Sequence, residues 1–415
     1  MEVGHLFWSS FYQQNLSFHL RLMRVRICRF TIFVMTCMLF WLINTRNLAL
    51  YHDSVLVQVT ADYEERQQKL TEIEHKFSIV NINAYIPVAT GHRTITYKCS
   101  GFCGGFGDRI KGIISAYLLA LLTGRRFAIK MSSPLDITSV LMPNAYDWRL
   151  PDTIIQRSQL IVNRMTDASP SGIYLNMSIH NFADSWKPYD NILFESNLDD
   201  IIAVLSNPSF QPKLKTLGLK PSKVDHDKLV PLIYEILFDP SSDIKAMVNN
   251  ALTIVRHSGS PLICLHIRLG KNPSIPKDDF IFDRSSSANE MINFVDKNLT
   301  RKGDQLPFIF VTSDSDEEVI KVRQHYFGRS LALEGPILHI DRVSNCSKKT
   351  LYSGYLKVVA DFYMLGQCDT SILSYSGYSL QANLRRENPY QNLYLHCRTI
   401  HHIKHSDWTL PFERC

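Results

Sequence analysis

From residue 261 onward the chain alternates between two periodicities. Apolar runs of strand length occur at Leu262–Leu269, Pro307–Thr312, Ile337–Ile340, Ser371–Ser374 and Asn392–His396. Between them, apolar positions recur at helical spacing over Ala288–Leu299, from Asp316 onward, over Thr350–Leu365 and over Leu380–Arg386. Short runs apolar on both faces are strands covered by helices, so the alternation predicts a parallel-sheet domain. Ser287 with Glu290, and Ser315 with Glu318, stand at capping-box spacing for two of these helices. The same grammar opens the first half. The glycine-rich stretch Tyr97–Arg109 runs into Ile110–Leu122, where Ile110, Ile113, Ile114, Tyr117, Leu118 and Leu121 mark a buried helix, and the strand Arg126–Lys130 follows. Between 131 and 260 the pattern is weaker. Gly172–Ser178 reads as a strand, Asp199–Leu205, Leu229–Leu237 and Asp243–Val255 as helices, and Phe210–Lys228 as a loop or insertion. Ahead of the body, Ala61–Phe77 is polar with Leu70, Ile73 and Phe77 on one stripe, which fits a solvated spacer helix or a short self-associating one; two turns make a poor coiled coil, so we read a spacer.

The N-terminus changes the picture from a soluble protein to an anchored one. Phe30–Ile43 is strongly apolar and uncharged, and Arg21, Arg24, Arg26 and Arg29 precede it. A cleaved signal peptide and an uncleaved type II anchor both fit such a segment. The arginines predict a cytosolic N-terminus, and no small-residue cleavage site follows, so we read an anchor with the body in the lumen. The expected organisation is a cytoplasmic tail (1–26), a transmembrane anchor (27–47), a stem (48–92), an N-terminal domain (93–255) and a C-terminal domain (256–415). Two domains suit the length of 415 residues. Half of the formal charge of +6 lies within the first 29 residues. No basic tract remains in the body, which argues against nucleic-acid binding.

A luminal body has consequences for chemistry. Asn176, Asn298 and Asn345 each begin a glycosylation triplet. Seven cysteines follow the anchor, Cys99, Cys103, Cys264, Cys346, Cys368, Cys397 and Cys415, and an oxidising lumen permits disulfides. Cys99 and Cys103 close on each other or reach elsewhere. Cys264, inside its strand, reads as buried and free. The odd count leaves one thiol over or pairs it between chains. No second Cys or His pair recurs at zinc-ligand spacing.

Three strand ends in the second half carry polar groups: His266 and Arg268, then Thr312-Ser-Asp314, then Ser374-Tyr-Ser-Gly-Tyr-Ser379. Parallel strands put these ends on one edge, where open α/β sheets bind ligands. Arg268 offers a fixed charge and a planar fork of donors suited to a diphosphate, although a structural ion pair suits it as well. The loop Gly104-Gly-Phe-Gly-Asp-Arg109 frees the backbone at a helix N-terminus, where an anion can be held, or merely turns tightly. It lacks the Gly-Lys-Ser/Thr of a Walker loop and the dinucleotide glycine spacing.

These pieces, in this order, resemble the α1,2-, α1,6- and protein O-fucosyltransferase superfamily. His266-Ile-Arg-Leu-Gly270 is similar to its His-x-Arg-x-Gly motif, and Phe310-Val-Thr-Ser-Asp314 to its strand ending in Thr-Asp or Ser-Asp. Asp361–Ala382 is similar to its helix–Cys-Asp–strand–Ser/Gly segment, and Cys103–Arg109 to its Gly-x-Gly-Asn loop. The likeness covers roughly residues 97–396, loosely over 131–260. It implies two facing Rossmann-like domains of the GT-B type, in a Golgi or endoplasmic-reticulum membrane enzyme. Such an enzyme transfers fucose from GDP-fucose to a glycan or glycoprotein with inversion, without a metal or other cofactor, and a homodimer is admissible.

By the same resemblance, Arg268 grips the diphosphate and stabilises the leaving GDP, and His266 positions the donor with Gly270. Ser313 and Asp314 contact the nucleoside, and Ser374, Ser376, Tyr378 and Ser379 the phosphates. Gly104, Gly105, Gly107, Asp108 and Arg109 line the acceptor side. Asp108 stands where the family has Asn; it supplies a carboxylate base, or marks a different substrate or lost activity. A single Arg after His266 points to the O-fucosyl or a divergent branch. Asp314-Ser-Asp316 matches a metal motif of the other glycosyltransferase fold, but Asp316 begins a helix, so no metal is expected. The second reading is a non-catalytic glycan- or nucleotide-sugar-binding protein on the same fold. A sulfotransferase is disfavoured by the lack of a lysine-containing phosphate loop.

Overall fold

The structure is a computed structural model that describes residues 35, 38, 61–88, 92–150, 158–165, 176–280, 284, 287–300, 305–343 and 346–404. The chain divides into two compact units, 1–68 and 69–415. In the first, Met35, Met38 and residues 61–68 are helical. The rest of the expected anchor lies outside the described residues, among which no helix is long and apolar enough to cross a membrane.

The second unit opens with residues 69–77 in helix. Leu70 and Ile73 are buried in the main core, and Glu74 Oε1 accepts the Ile82 N–H at 2.8 Å. The apolar stripe expected to face solvent therefore packs onto the body.

Four parallel strands follow: β1 (Thr94–Cys99), β2 (Arg126–Met131), β3 (Gln159–Arg164) and β4 (Asn191–Ser196), in the order β2-β1-β4-β3. Between β1 and β2 runs α1 (Phe106–Thr123), buried nearly all round, which a helix apolar on every face requires. It stops at Gly124, whose φ of 63° is the left-handed conformation that ends helices. Then come α2 (Lys223–Leu237) and α3 (Ser242–Ser258). Ile244, Val248, Ala251 and Val255 form a single buried stripe on α3.

A second, six-stranded sheet is built from β5 (Leu262–Ile267), β8 (Phe308–Ser313), β9 (Ser330–Leu331), β10 (Thr370–Ser374), β11 (Leu393–Cys397) and β12 (Thr399–His402). Its order is β9-β8-β5-β10-β11-β12, parallel except for β12. A hairpin of β6 (Gly270–Asn272) and β7 (Ile275–Phe280) follows β5. The helices are α4 (Ser287–Phe294), α5 (Asp316–His325), α6 (Lys348–Leu365) and α7 (Gly377–Leu384). Strand β5 is buried at every position. Its alternate side chains enter two cores: Leu262 and Cys264 join the main one, while Ile263, Leu265 and Ile267 join a smaller one containing residues of α4, α5 and β8. Each fully buried Leu or Ile contributes roughly 1.5–3 kcal/mol.

Several expectations are corrected. Cys264 is not free; it is bonded to Cys368, because the main-core face of β5 meets the end of α6. Cys99 and Cys103 close on each other, Cys397 is also disulfide-bonded, and Cys346 is a free thiol. Residues 337–340 are not a strand; the short edge strand is β9, and 336–340 runs unpaired into the cleft described below. Residues 176–179 form a turn, with 172–175 outside the described residues. Within the supposed loop, Gln211–Thr216 is helical and α2 begins at Lys223, where Ser222 Oγ accepts the Asp225 N–H at 3.1 Å. The Ser315 side chain makes no capping bond. Glu290 and Ser287 both reach His396, at 2.6 and 3.5 Å, and Glu318 pairs with Lys321 at 2.6 Å. Of the glycosylation triplets, Asn176 and Asn298 are exposed, and Asn345 lies outside the described residues.

Candidate functional site

Strand polarity puts the ends of β5, β8 and β10 on one edge of the six-stranded sheet, and the glycine loop before α1 faces that edge. Between them lies an open cleft lined from both sides. Its floor is organised by Asp314. The Asp314 carboxylate accepts the N–H groups of Leu269 and Gly270, each at 2.8 Å, and pairs with Arg268 Nη1. The second carboxylate on Arg268 is Asp278, from β7, which also holds Arg342 Nε at 3.0 Å. Burial works against the Arg268 charge, but Asp314 and Asp278 outweigh it and hold the guanidinium above its usual range. A guanidinium has five N–H donors, so two ion pairs leave others for a ligand.

His266, beside Arg268, is buried, and its ring packs 5.6 Å from that of Tyr378. Burial, then Arg268 and Arg284, push its pKa down to about 3, so it is neutral at physiological pH. Its Nδ1 has no partner among the described residues. Arg284 spans two loops, donating to the carbonyls of Arg268 (3.1 Å) and Tyr375 (3.3 Å).

Two helix N-termini meet across the cleft. α1 begins after Gly105 and α7 after Ser376, and among the described residues no side chain caps either. Their approach is backbone to backbone: a Cβ on Gly107 would fall 2.5 Å from the Tyr378 N and Cα. Unpaired N–H groups with the dipole behind them favour an anion here. Lys111 adds positive charge, held by Asp108 at 2.9 Å. Gly104, at φ 82°, turns the loop in the left-handed region.

Asp361 lies deeper, on α6. One of its oxygens accepts from Lys357 Nζ (2.6 Å) and Thr312 Oγ1 (2.8 Å). The other, Oδ1, is buried without a partner among the described residues. Burial raises its pKa, against the pull of Lys357.

The cleft thus gathers Gly105, Gly107, Asp108, His266, Arg268, Ser313, Asp314, Ser376 and Tyr378 from the expected residues. Others stand behind it. Arg109, expected to line the cleft, is fully buried; it donates to the Gly104 carbonyl at 2.9 Å and pairs with Asp341. Ser374 Oγ accepts the Arg268 N–H at 3.1 Å, and Ser379 donates to the Ser374 carbonyl at 3.2 Å. Tyr378 spends its hydroxyl on the Val358 carbonyl at 2.6 Å, leaving its ring and backbone to the cleft. Asp314 and Asp316 do not share a partner, since Asp316 bonds Ser274. Sequence reasoning missed His339, Lys357, Asp361 and Asp278. The available signal was charge inside apolar periodicity: Lys357 and Asp361 sit four apart on the inner face of an otherwise apolar helix.

No protein-family model and no curated protein matches this sequence. Solved structures do. A mutant of Arabidopsis thaliana FUT1 in complex with GDP is 14% identical with a TM-score of 0.53, covering 80% of each chain. NodZ alpha-1,6-fucosyltransferase soaked with GDP-fucose is 14% identical with a TM-score of 0.41, covering 71% of this chain and 92% of that one. NodZ from Bradyrhizobium is 13% identical with a TM-score of 0.40, covering 76% and 100%. On the likeness to the Arabidopsis protein, this chain shares the mixed α/β, parallel-sheet fold of a protein solved with GDP.

Proposed function

We propose that this protein is a glycosyltransferase that moves fucose from GDP-fucose to a glycan or glycoprotein. The observation that carries the reading is the meeting of two uncapped helix N-termini beside Arg268, a built place for a diphosphate. The unpartnered Asp361 Oδ1, deeper in the same cleft, is an acceptor suited to the N–H groups of a guanine edge. Arg268 then counters the charge that grows on departing GDP, and its two aspartates keep it from reorganising at that moment. Asp314 acts through the turn it clamps, Ser374 and Ser379 by fixing the strand ends. On the acceptor side, Phe102 is exposed beside a hollow lined by Lys98, Asn163 and Glu195, an aromatic face and hydrogen-bonding groups suited to a sugar.

The Golgi or endoplasmic-reticulum anchor, with a luminal body, belongs to the same proposal. It draws support from the Cys99–Cys103 and Cys264–Cys368 bonds and from the disulfide-bonded Cys397, since such bonds persist in oxidising compartments. The test is direct: the full chain in detergent is titrated with GDP by calorimetry, then incubated with GDP-fucose and a panel of glycans. GDP binding and fucose transfer that persist in EDTA are expected, whereas no GDP binding overturns the proposal. A second reading, donor binding without turnover, is favoured by the double aspartate hold on Arg268; GDP binding with no transfer to any acceptor or to water would establish it.

A further inference from the structure

The space beside the Gly105 Cα is bounded from two sides. A side-chain carbon built there would stand 3.7 Å from Asp108 Oδ2 and 3.7 Å from His339 Nε2. Asp108 comes from α1, and His339 from the unpaired stretch 336–340 of the other half; both line the cleft. The His339 stretch is fixed from behind, because Asp341 is held by Arg109 and by the Cys103 N–H at 3.1 Å. Asp108 has its other oxygen on Lys111. The charges facing His339 are Arg268 from the end of β5, Asp278 from β7, Asp341 and Arg342 from its own stretch, and Asp108 across the gap. Its Nδ1 has no partner among the described residues. An imidazole whose Nδ1 has no partner among the described residues, facing a glycine loop with a carboxylate opposite, is a group placed to take a substrate proton.

Resting on the fucosyl-transfer reading above, we propose that His339 is the base for the acceptor hydroxyl, with Asp108 orienting that hydroxyl from the opposite side. The hydroxyl proton passes to His339 Nε2 as the acceptor oxygen bonds to C1 of fucose. The C1–O bond to the β-phosphate breaks, and its electron pair leaves on GDP, whose added charge faces Arg268. The imidazolium then returns its proton to water. Burial, then Arg268, hold His339 below its usual range, so it is neutral and able to accept. A diphosphate on Arg268 cancels that repulsion, so donor binding itself makes His339 more basic.

The experiment uses the full chain and two readouts. GDP is titrated by calorimetry in buffers of different ionisation enthalpy at about pH 6 to 7; the terminal phosphate of GDP contributes the same proton change to both proteins, and the wild type takes up protons beyond that amount while His339→Gln does not. Release of GDP from GDP-fucose, with glycans or water as acceptor, falls about 10²- to 10⁴-fold in His339→Gln at little-changed GDP affinity. Imidazole partly restores His339→Ala, and the acid limb of kcat/KM survives in Asp108→Asn but not in His339→Gln. Turnover within about tenfold of wild type in His339→Gln overturns the base. So does loss of GDP binding in step with turnover, failure of imidazole rescue, or a wild type that binds GDP without turning GDP-fucose over. A wild type that binds no GDP overturns the donor reading instead, and the base with it.

Discussion

Arg268 and Arg109 are both engaged by aspartate near the cleft, yet their surroundings give them different work. Arg109 and Asp341 are fully buried, so that pair belongs to the framework. Arg268 keeps 17% of its side chain exposed while both of its aspartates are buried, so it is anchored from behind and open in front. Truncation would confuse two effects. Arg268→Ala leaves the buried Asp314 carboxylate without its cation and Asp278 with Arg342 alone, at a cost of about 3–5 kcal/mol. Arg268→Lys retains the charge and loses the planar fork. We expect it to lower GDP-fucose turnover about 10²- to 10³-fold with a nearly unchanged melting temperature, as read by initial rates and circular dichroism. At this scale the sequence disclosed what sits at the end of an apolar strand, His266 and Arg268, because the change from apolar to basic is abrupt. It hid His339, because Ile337–Ile340 looks like a strand, and it hid Asp361, because burial next to Lys357 depends on which side of α6 meets the sheet.

The elements meet where α1 and α7 converge, and Gly107 sets their separation. Its missing Cβ would press on the Tyr378 backbone, which cannot swing aside as a side chain can. Gly107→Ala should therefore part the two N-termini and weaken GDP binding by at least about tenfold, measured by calorimetry, although the helix interior would otherwise welcome alanine. Element identity was the most legible level. The strand–helix alternation after residue 261 recovers β5, β8, β10 and β11, the four strands buried along most of their length, and misses the edge strands β9 and β12, which are more exposed. The failures fell where local chemistry competes. Ser287 and Glu290 stand at capping spacing, but His396 lies near enough to claim both. Helix α2 carries a second site of competition. His226 is clamped between Asp199 and Asp227, each at 2.7 Å. Burial opposes its charge and Lys223 adds to that, but the two carboxylates prevail and raise its pKa above 6.5. The stabilisation is thus complete below that value and is lost as pH rises through the raised pKa. Melting temperature should fall more steeply as pH rises above 6.5 in the wild type than in His226→Gln.

For the whole molecule, the sequence conveyed two parallel-sheet halves with a cleft between them, but neither the cross-link inside the second half nor the pair that ties the halves. The cysteine pattern admitted a free Cys264, and only the packing of β5 against the end of α6 pairs it with Cys368, 104 residues later. Closing so long a loop removes much freedom from the unfolded chain. Replacing both cysteines by alanine should lower stability by about 3–5 kcal/mol, read from denaturant midpoints. The Arg109–Asp341 pair joins the glycine loop to the stretch that carries His339, 232 residues apart in sequence. Its burial makes the two positions one unit of inheritance. Either change alone strands a charge in the interior, whereas Arg109→Met with Asp341→Leu removes both charges and is expected to fold better than either single variant. Descendants of this chain should therefore keep both residues or lose both, and in lineages that lose both, the loop and the His339 stretch become free to drift apart.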